Sequence, residues 1–225
     1  MFLDILWRTV VCVAAGYLVG GVPFGVIFGR GVHGVDIQTL GSGGTGATNV
    51  YRNLGWKTGL TVALLDIAKG AVAVGAARLV APAAWSQNGS DLLAIAAGLA
   101  AMAGHVFSPF LRFRGGKGIS VAGGATAVIM PWASLVLLTV FTGTALTLRI
   151  VSVGSILAAV VFPVAVAVLY PGRPVLLAFA GVALPFVLWA HRGNIRRLLR
   201  GEEPRITIGR RKGTANERDD GGDRG

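Results

Sequence analysis

Long apolar runs separated by short polar, basic connections dominate the chain. They fall at positions 10–28, 59–80, 92–110, 119–130, 131–148, 152–170 and 174–190. Roughly 20 apolar residues carry a helix across the hydrocarbon of a bilayer. The pattern therefore predicts an all-α fold, a polytopic integral membrane helix bundle of about seven transmembrane helices. The fourth run is short, and 119–148 also reads as one bent span, so five or six is the alternative. The first run is too long and too rich in glycine for a secretory signal and reads as a retained helix.

Composition supports this reading. Hydrophobic residues make up 53% of the 225 positions and charged residues 14%, against about 25% charged in soluble domains. One membrane-embedded domain over 1–203 accounts for the length. The net charge of +11 does not point to nucleic acid, because the basic residues sit between apolar runs and in the tail, not in an aromatic-interleaved patch. With the N-terminus outside, the cytoplasmic segments collect Arg30, Arg52, Lys57, Arg112, Arg114, Lys117, Arg149 and everything basic from Arg192 onward, 17 of the 21 Lys and Arg. The positive-inside rule thus places the C-terminus in the cytoplasm. Residues 204–225, basic at Arg210–Lys212 and then acidic and glycine-rich, are expected to form a disordered cytoplasmic tail near anionic lipid headgroups. The single cysteine, Cys12, excludes an intramolecular disulfide and any multi-cysteine metal site.

Gly16 and Gly20, and again Gly21, Gly25 and Gly29, recur every fourth residue, the spacing that lets membrane helices approach closely. Pro23 and Pro163 are expected to kink their helices. Asp66 and Lys69, spaced i, i+3 inside an apolar run, predict a buried ion pair with a structural role.

Three polar segments carry candidate chemistry. The first reads Gly41-Ser42-Gly43-Gly44-Thr45-Gly46-Ala47-Thr48-Asn49, then Arg52. It matches G-x-G-x-x-G formally, but a membrane helix precedes it where a dinucleotide fold needs a strand. What remains is local: clustered glycines let backbone N–H groups converge on an anion, and Ser42, Thr48, Asn49 and Arg52 add donors. The second runs from Gly104-His105 to Arg114-Gly115-Gly116-Lys117-Gly118. Leu111 and Gly118 exclude a Walker A loop, yet a lysine among glycines at the start of a helix near Ile119 suits a phosphate. The third is His191-Arg192-Gly193-Asn194 through Glu202-Glu203, where a continuing helix puts His191 and Asn194 on one face. His33 has Asp36 near it in sequence, whereas His105 has no local acid–base partner.

Absences narrow the chemistry. No glutamate precedes Glu202 and only four aspartates do, which leaves few ligands for two-carboxylate hydrolysis or carboxylate-bound metals. No histidine has an aspartate five residues later, so the H-x4-D arrangement of acyl-CoA-dependent glycerolipid acyltransferases is missing, and there is no G-x-S-x-G elbow.

Taken together, Gly20-Gly21-Val22-Pro23-Phe24-Gly25, the segment 41–52, Leu65-Asp66 with Lys69-Gly70, the segment 104–118 and the segment 191–203 resemble the bacterial acyl-phosphate:glycerol-3-phosphate acyltransferase (PlsY) family. The resemblance spans nearly all of the chain except the tail. It implies a seven-helix bundle in the bacterial cytoplasmic (inner) membrane with its site on the cytoplasmic side. The activity implied is acylation of the 1-hydroxyl of glycerol-3-phosphate by acyl phosphate, the first acylation of bacterial phospholipid synthesis. It further implies catalytic roles for Ser42, His191 and Asn194. Substrate contacts are implied for Gly41, Gly43, Thr48, Asn49, Arg52, His105, Gly115, Gly116, Lys117 and Gly118, and structural roles for Glu203, Asp66 and Lys69. No cofactor or metal is implied; the partners are the two substrates, membrane lipid and a soluble enzyme that makes acyl phosphate. Two departures stand out: Gly44 where the family usually has asparagine, and Ile119-Ser120-Val121 where it often has Val-Ala-Thr.

Chemically, acyl phosphate is a mixed anhydride with a good leaving group, so the main task is to hold two anions together. Backbone N–H groups of 41–46 are expected to stabilise the oxyanion, at about 3–4 kcal/mol per donor. The base is either His191 or the substrate's own phosphate, and Ser42 is expected to hydrogen-bond substrate rather than to be acylated. A permease for an anionic metabolite is the alternative from another class, weakened by the lack of an internal repeat.

Overall fold

The computed structural model describes residues 2–206, and every regular element among them is helical. The helices are α1 (Phe2–Gly21), α2 (Phe24–His33), α3 (Ala47–Leu54), α4 (Trp56–Val80), α5 (Gln87–Val106), α6 (Ile119–Ile129), α7 (Pro131–Leu148), α8 (Val151–Leu169), α9 (Pro174–Ala190) and α10 (Arg192–Leu199). Five spans are long and apolar enough to cross a membrane: Leu3–His33, Trp56–Val80, Gln87–Leu111, Pro131–Leu148 and Val151–Leu169. Pro174–Ala190 with Arg192–Leu199 makes a sixth if the pair, bent by 60°, is one span. The expected fourth run forms only the short helix Ile119–Ile129. Large apolar side chains on the outer faces, Leu64, Leu79, Val168 and Val182 among them, are exposed, as a lipid-facing surface requires.

The first span begins earlier than the apolar run. Arg8 is neutralised one turn away by Asp4, Nε to Oδ1 at 2.8 Å, and its Nη1 donates to the Val80 carbonyl, so the charged start continues the helix. Pro23 separates α1 from α2, whereas Pro163 lies within α8. α3 lies within a segment whose composition suggests only a glycine-rich loop.

Packing falls into two groups. One gathers α1 and α4–α6, with α2 and α3 along α4; the other gathers α7–α9, with α10 on α9. In the first group small residues bring backbones together, as the four-residue glycine spacing predicts. A methyl on Gly20 would strike the Ala101 carbonyl and one on Gly104 the Tyr17 carbonyl, across α1 and α5. Gly70 and Gly124 play the same part between α4 and α6. In the second group larger side chains fill the space around Phe162, Val166, Leu176 and Met130.

At one end of the bundle Asp91, fully buried, accepts from Arg78 at 2.5 Å and from Arg173, tying α4, α5 and the α8–α9 turn together. The polar loops gather at the other end. The segment Pro204–Ile206, assigned to the tail on composition, is folded onto that end: the Pro204 carbonyl accepts from Arg52 Nη2 at 2.7 Å, and the Ile206 N–H donates to the Arg149 carbonyl at 2.7 Å. The remaining tail, 207–225, lies outside the described residues.

Adjacent glycines on α6 test the close-packing account. Gly124→Ala should lower the thermal midpoint in detergent, by the equivalent of about 1–3 kcal/mol. Gly123→Ala, whose methyl meets nothing within 4 Å, should leave it unchanged or slightly raised; equal effects would contradict the account.

Candidate active site

The three sequence segments meet at one cavity of about 130 Å³. Of the residues expected there, Ser42, Thr48, Asn49, Arg52, Asp66, His105, Gly116, Lys117, Gly118, His191, Asn194 and Glu203 line it; Gly41, Gly43, Gly115 and Lys69 do not. Gly41 and Gly43 instead supply the positive φ of 56° and 68° that turns the first loop. Ser152, Ser155, Phe141 and Arg197, none of them singled out in the sequence, also line it, as does Ser120, noted there only as a departure from the family pattern.

Asn49 holds the first loop. Its Nδ2 donates to the carbonyls of Ile37, Leu40 and Gly44, and its Oδ1 accepts from the Ser42 N–H and from Asn53 Nδ2. Its polar atoms are thus occupied by protein. The Ser42 N–H is given to Asn49 and the Gly43 N–H to the Leu40 carbonyl, so these two donors of the loop do not face an oxyanion. The open donors come from the next element. A helix leaves its first N–H groups without intrahelical partners, and Gly46, Ala47 and Thr48, at the N-terminus of α3, stand in the cavity wall. The N-terminus of α6 points to the same space through Lys117, Gly118 and Ile119. Two helix N-termini on one cavity favour an anion there.

The second loop wraps around His105. The Gly115 N–H donates to the Val106 carbonyl and the Gly116 N–H to the His105 carbonyl. A methyl on Gly115 would overlap the His105 carbonyl and one on Gly116 the imidazole, which explains the two glycines beside Lys117. His105 Nδ1 lies 3.1 Å from Lys69 Nζ, a partner 36 residues away that local sequence does not reveal. An ammonium only donates, so Nδ1 accepts and the imidazole proton is on Nε2, the nitrogen beside Gly116. Lys69 also donates to the carbonyls of Gly20 and Val22, which the break at Pro23 turns out of the regular ladder, and lies 2.9 Å from Asp66 Oδ1. That last approach is an ion pair, and this oxygen has no hydrogen-bond donor among the described residues. The other nearby pairing suggested by sequence does not form, since Asp36 binds Arg30 at 2.8 Å and His33 Nε2 lies 2.9 Å from Thr58 Oγ1.

The third segment bends at His191 instead of continuing the helix. Both His191 and Asn194 nevertheless face the cavity and are buried. His191 Nδ1 lies 2.9 Å from the Val187 carbonyl, which can only accept, so Nδ1 carries a proton and Nε2 of the neutral ring is an acceptor. No Ser42–histidine hydrogen bond is present among the described residues.

Lys117 Nζ donates to Asn194 Oδ1. Burial pulls its ammonium down to about 8, with Glu203 opposing that shift and Arg197 and Arg52 adding to it. Burial likewise lowers Arg52, against the pull of Glu203, and its buried Nε has no hydrogen-bond partner among the described residues. Hydrogen bonds from Asn194, Ser152 and Arg197 outweigh desolvation and keep the Glu203 carboxyl below its usual range.

A second cavity of about 330 Å³ adjoins the first, sharing Ala47, Thr48, Phe141 and Val151 with it. Its other walls, including Trp56, Leu60, Ala63 and Ile206, are apolar, and Trp56 and Leu60 are exposed on the outer face of α4. A polar, cationic chamber therefore lies against an apolar one at the lipid-facing surface, the two sharing a wall.

Comparison with known proteins gives the chain a family. The family model described as glycerol-3-phosphate acyltransferase matches residues 10–201. The glycerol-3-phosphate acyltransferase of Chlorobaculum parvum is 39% identical over 226 residues, covering 88% of this chain and 97% of that protein. That of Chlorobium phaeobacteroides is 40% identical over 227 residues, covering 88% and 96%. Crystal structures of PlsY (YgiH), an integral membrane glycerol 3-phosphate acyltransferase, superpose in the glycerol 3-phosphate form with a TM-score of 0.78 at 34% identity, over 88% of this chain and 96% of that one. The lysphosphatidic acid form gives 0.77 at 33%, over 88% and 95%. With the family model matched over most of the chain and relatives at about 40% identity along nearly all of their lengths, this integral membrane chain belongs to the PlsY family of glycerol-3-phosphate acyltransferases.

Proposed function

We propose that the chain transfers a fatty acyl group from acyl phosphate to the 1-hydroxyl of glycerol-3-phosphate, giving 1-acyl-glycerol-3-phosphate (lysophosphatidate) and phosphate. In this reading residues 1–203 form one membrane-embedded acyltransferase domain in the bacterial inner membrane, and the site faces the cytoplasm, where the basic loops collect. The observation that carries it is the joining of a cationic chamber to an apolar one, since the donor has an anionic head on an acyl chain. The relatives named for glycerol-3-phosphate, and the structures in glycerol 3-phosphate and lysphosphatidic acid forms, support the acceptor and the product.

The chemistry then needs little beyond placement. Lys117 and Arg52 bind phosphate oxygens, offsetting the repulsion between two anionic reactants, while the acyl chain lies in the apolar chamber. The donor's acyl carbonyl sits at the N-terminus of α3, whose N–H groups stabilise the oxyanion as the 1-hydroxyl attacks. The C–O bond to phosphate breaks, and the proton leaves with that phosphate, directly or by way of His191 Nε2, the acceptor nitrogen of the ring. Ser42 and the Nε2–H of His105 donate to substrate oxygens. A soluble enzyme that makes acyl phosphate is the partner this donor requires. The cations gather at loops and helix ends, and the charged pair within the bundle, Asp66 with Lys69, is already tied to protein; neither arrangement suits a permease path.

Two measurements test this function. Purified protein in detergent, given acyl phosphate and labelled glycerol-3-phosphate, should form labelled lysophosphatidate with no second compartment and none when acyl-CoA replaces acyl phosphate; turnover with acyl-CoA alone would overturn the donor assignment. In addition, kcat/KM for glycerol-3-phosphate should fall as pH rises through about 8, because Lys117 loses the proton that binds phosphate. Lys117→Arg, which stays charged, should move this fall to higher pH. A flat profile, or a limb unmoved by Lys117→Arg, would contradict the phosphate-binding role.

A further inference from the structure

The wall that faces Lys117 from the second helix group is a closed hydrogen-bond unit built around one carboxylate. Glu203 Oε1 accepts from Asn194 Nδ2 at 2.6 Å and from Ser152 Oγ at 2.8 Å, and Oε2 accepts from Arg197 Nε at 2.8 Å. Ser152, Asn194 and Glu203 are all buried. Ser152 stands in the first turn of α8, whereas Asn194 and Arg197 are on α10. The chain after α10 turns back on itself through the Glu202 N–H to the Arg197 carbonyl, which brings Glu203 between the two helices.

The arrangement decides which end of the Asn194 amide Lys117 meets. A carboxylate only accepts and an ammonium only donates. Reversing the amide would set its NH2 against the lysine and its oxygen against Glu203, two repulsive contacts replacing two favourable ones. We infer that Arg197, Glu203 and Ser152 form a positioning group that fixes Asn194 and, through it, holds Lys117 where the phosphate of glycerol-3-phosphate binds; the inference rests on the function proposed above.

The group also acts through charge. Lys117 shares the cavity with Arg52 on α3, Arg197 on α10, His191 at the α9–α10 bend, Glu203, and the cluster of Asp66 and His105 backed by Lys69. After burial, the charges that act on its ammonium are Glu203, which raises its proton affinity, and Arg197 and Arg52, which lower it. The pair formed by Arg197 and Glu203 thus holds opposing controls on the same lysine.

The test is the pH profile of kcat/KM for glycerol-3-phosphate in full-length variants purified in detergent. Arg197→Gln should move the alkaline limb to higher pH and Glu203→Gln should move it to lower pH. Ser152→Ala, which leaves the charges in place, should leave the limb where it is and raise the KM for glycerol-3-phosphate about tenfold, as loss of a charge-assisted hydrogen bond would, with kcat changed less than about threefold. If Glu203→Gln does not fold, Arg197→Gln and Ser152→Ala decide the matter. A folded Arg197→Gln or Glu203→Gln whose limb stays put, two such limbs that move in the same direction, or a Ser152→Ala with unchanged KM would overturn the positioning role while the Lys117 reading stands. A wild-type limb that is absent, or that Lys117→Arg fails to move, would sink both.

Discussion

A lysine ammonium withdrawn from water with no anion as its direct partner among the described residues is the constraint around which the polar end of this bundle is organised. Lys117 is bonded to a neutral amide oxygen, and the one carboxylate among its charged neighbours in the third segment is already engaged by Arg197, Ser152 and Asn194. Arg52, half-buried, is bonded to a peptide carbonyl. Both cations are held by dipoles, not neutralised by charges, so a phosphate entering the chamber meets unspent positive charge. Paired one-to-one with carboxylates, the same cations would gain stability and lose their use.

The surrounding structure makes this arrangement tolerable. The N-termini of α3 and α6 face the same cavity as Lys117 and Arg52, and their partial positive charge favours an anion there as the two cations do. The backbone that carries Lys117 is fixed by its path around His105, and His105 is fixed by Lys69. Lys69 in turn caps carbonyls released where Pro23 breaks the first span. A helix kink, a buried ion pair and a substrate loop thus form one connected piece of structure. The close glycine contacts between α1 and α5 and between α4 and α6 bring these parts within reach.

Much of this was written in the apolar pattern. The spans 131–148 and 174–190 coincide with α7 and α9 because proline at the first helical turn and polar residues at the end mark them clearly. The three polar segments were legible as a set, because glycine clusters beside Arg52 and Lys117, and histidine near asparagine, have little reason to occur together in membrane loops. What sequence concealed lies mainly in long-range pairings. Lys117 meets Asn194 across 77 positions, Arg52 meets Pro204 across 152, and Ser152 meets Glu203 across 51. Local composition also misled where tertiary structure overrode it. The glycine-rich stretch contains the start of α3, Asn49 is occupied by carbonyls, and the C-terminal segment that looked like tail supplies the Pro204 contact. The bend at His191 was hidden because helical residues resume at once after it, so the segment reads as one continuing helix.

The central claim, that the chamber keeps a poised cation for an incoming phosphate, is tested most directly by calorimetric titration of the purified protein with glycerol-3-phosphate near pH 8 in buffers of different ionisation enthalpy. Because Lys117 is only partly protonated there and the ligand phosphate, with a second pKa of about 6, is already a dianion, binding should draw protons from the buffer, and glycerol should not bind detectably. Binding without proton uptake, or equal binding of glycerol, would contradict the account.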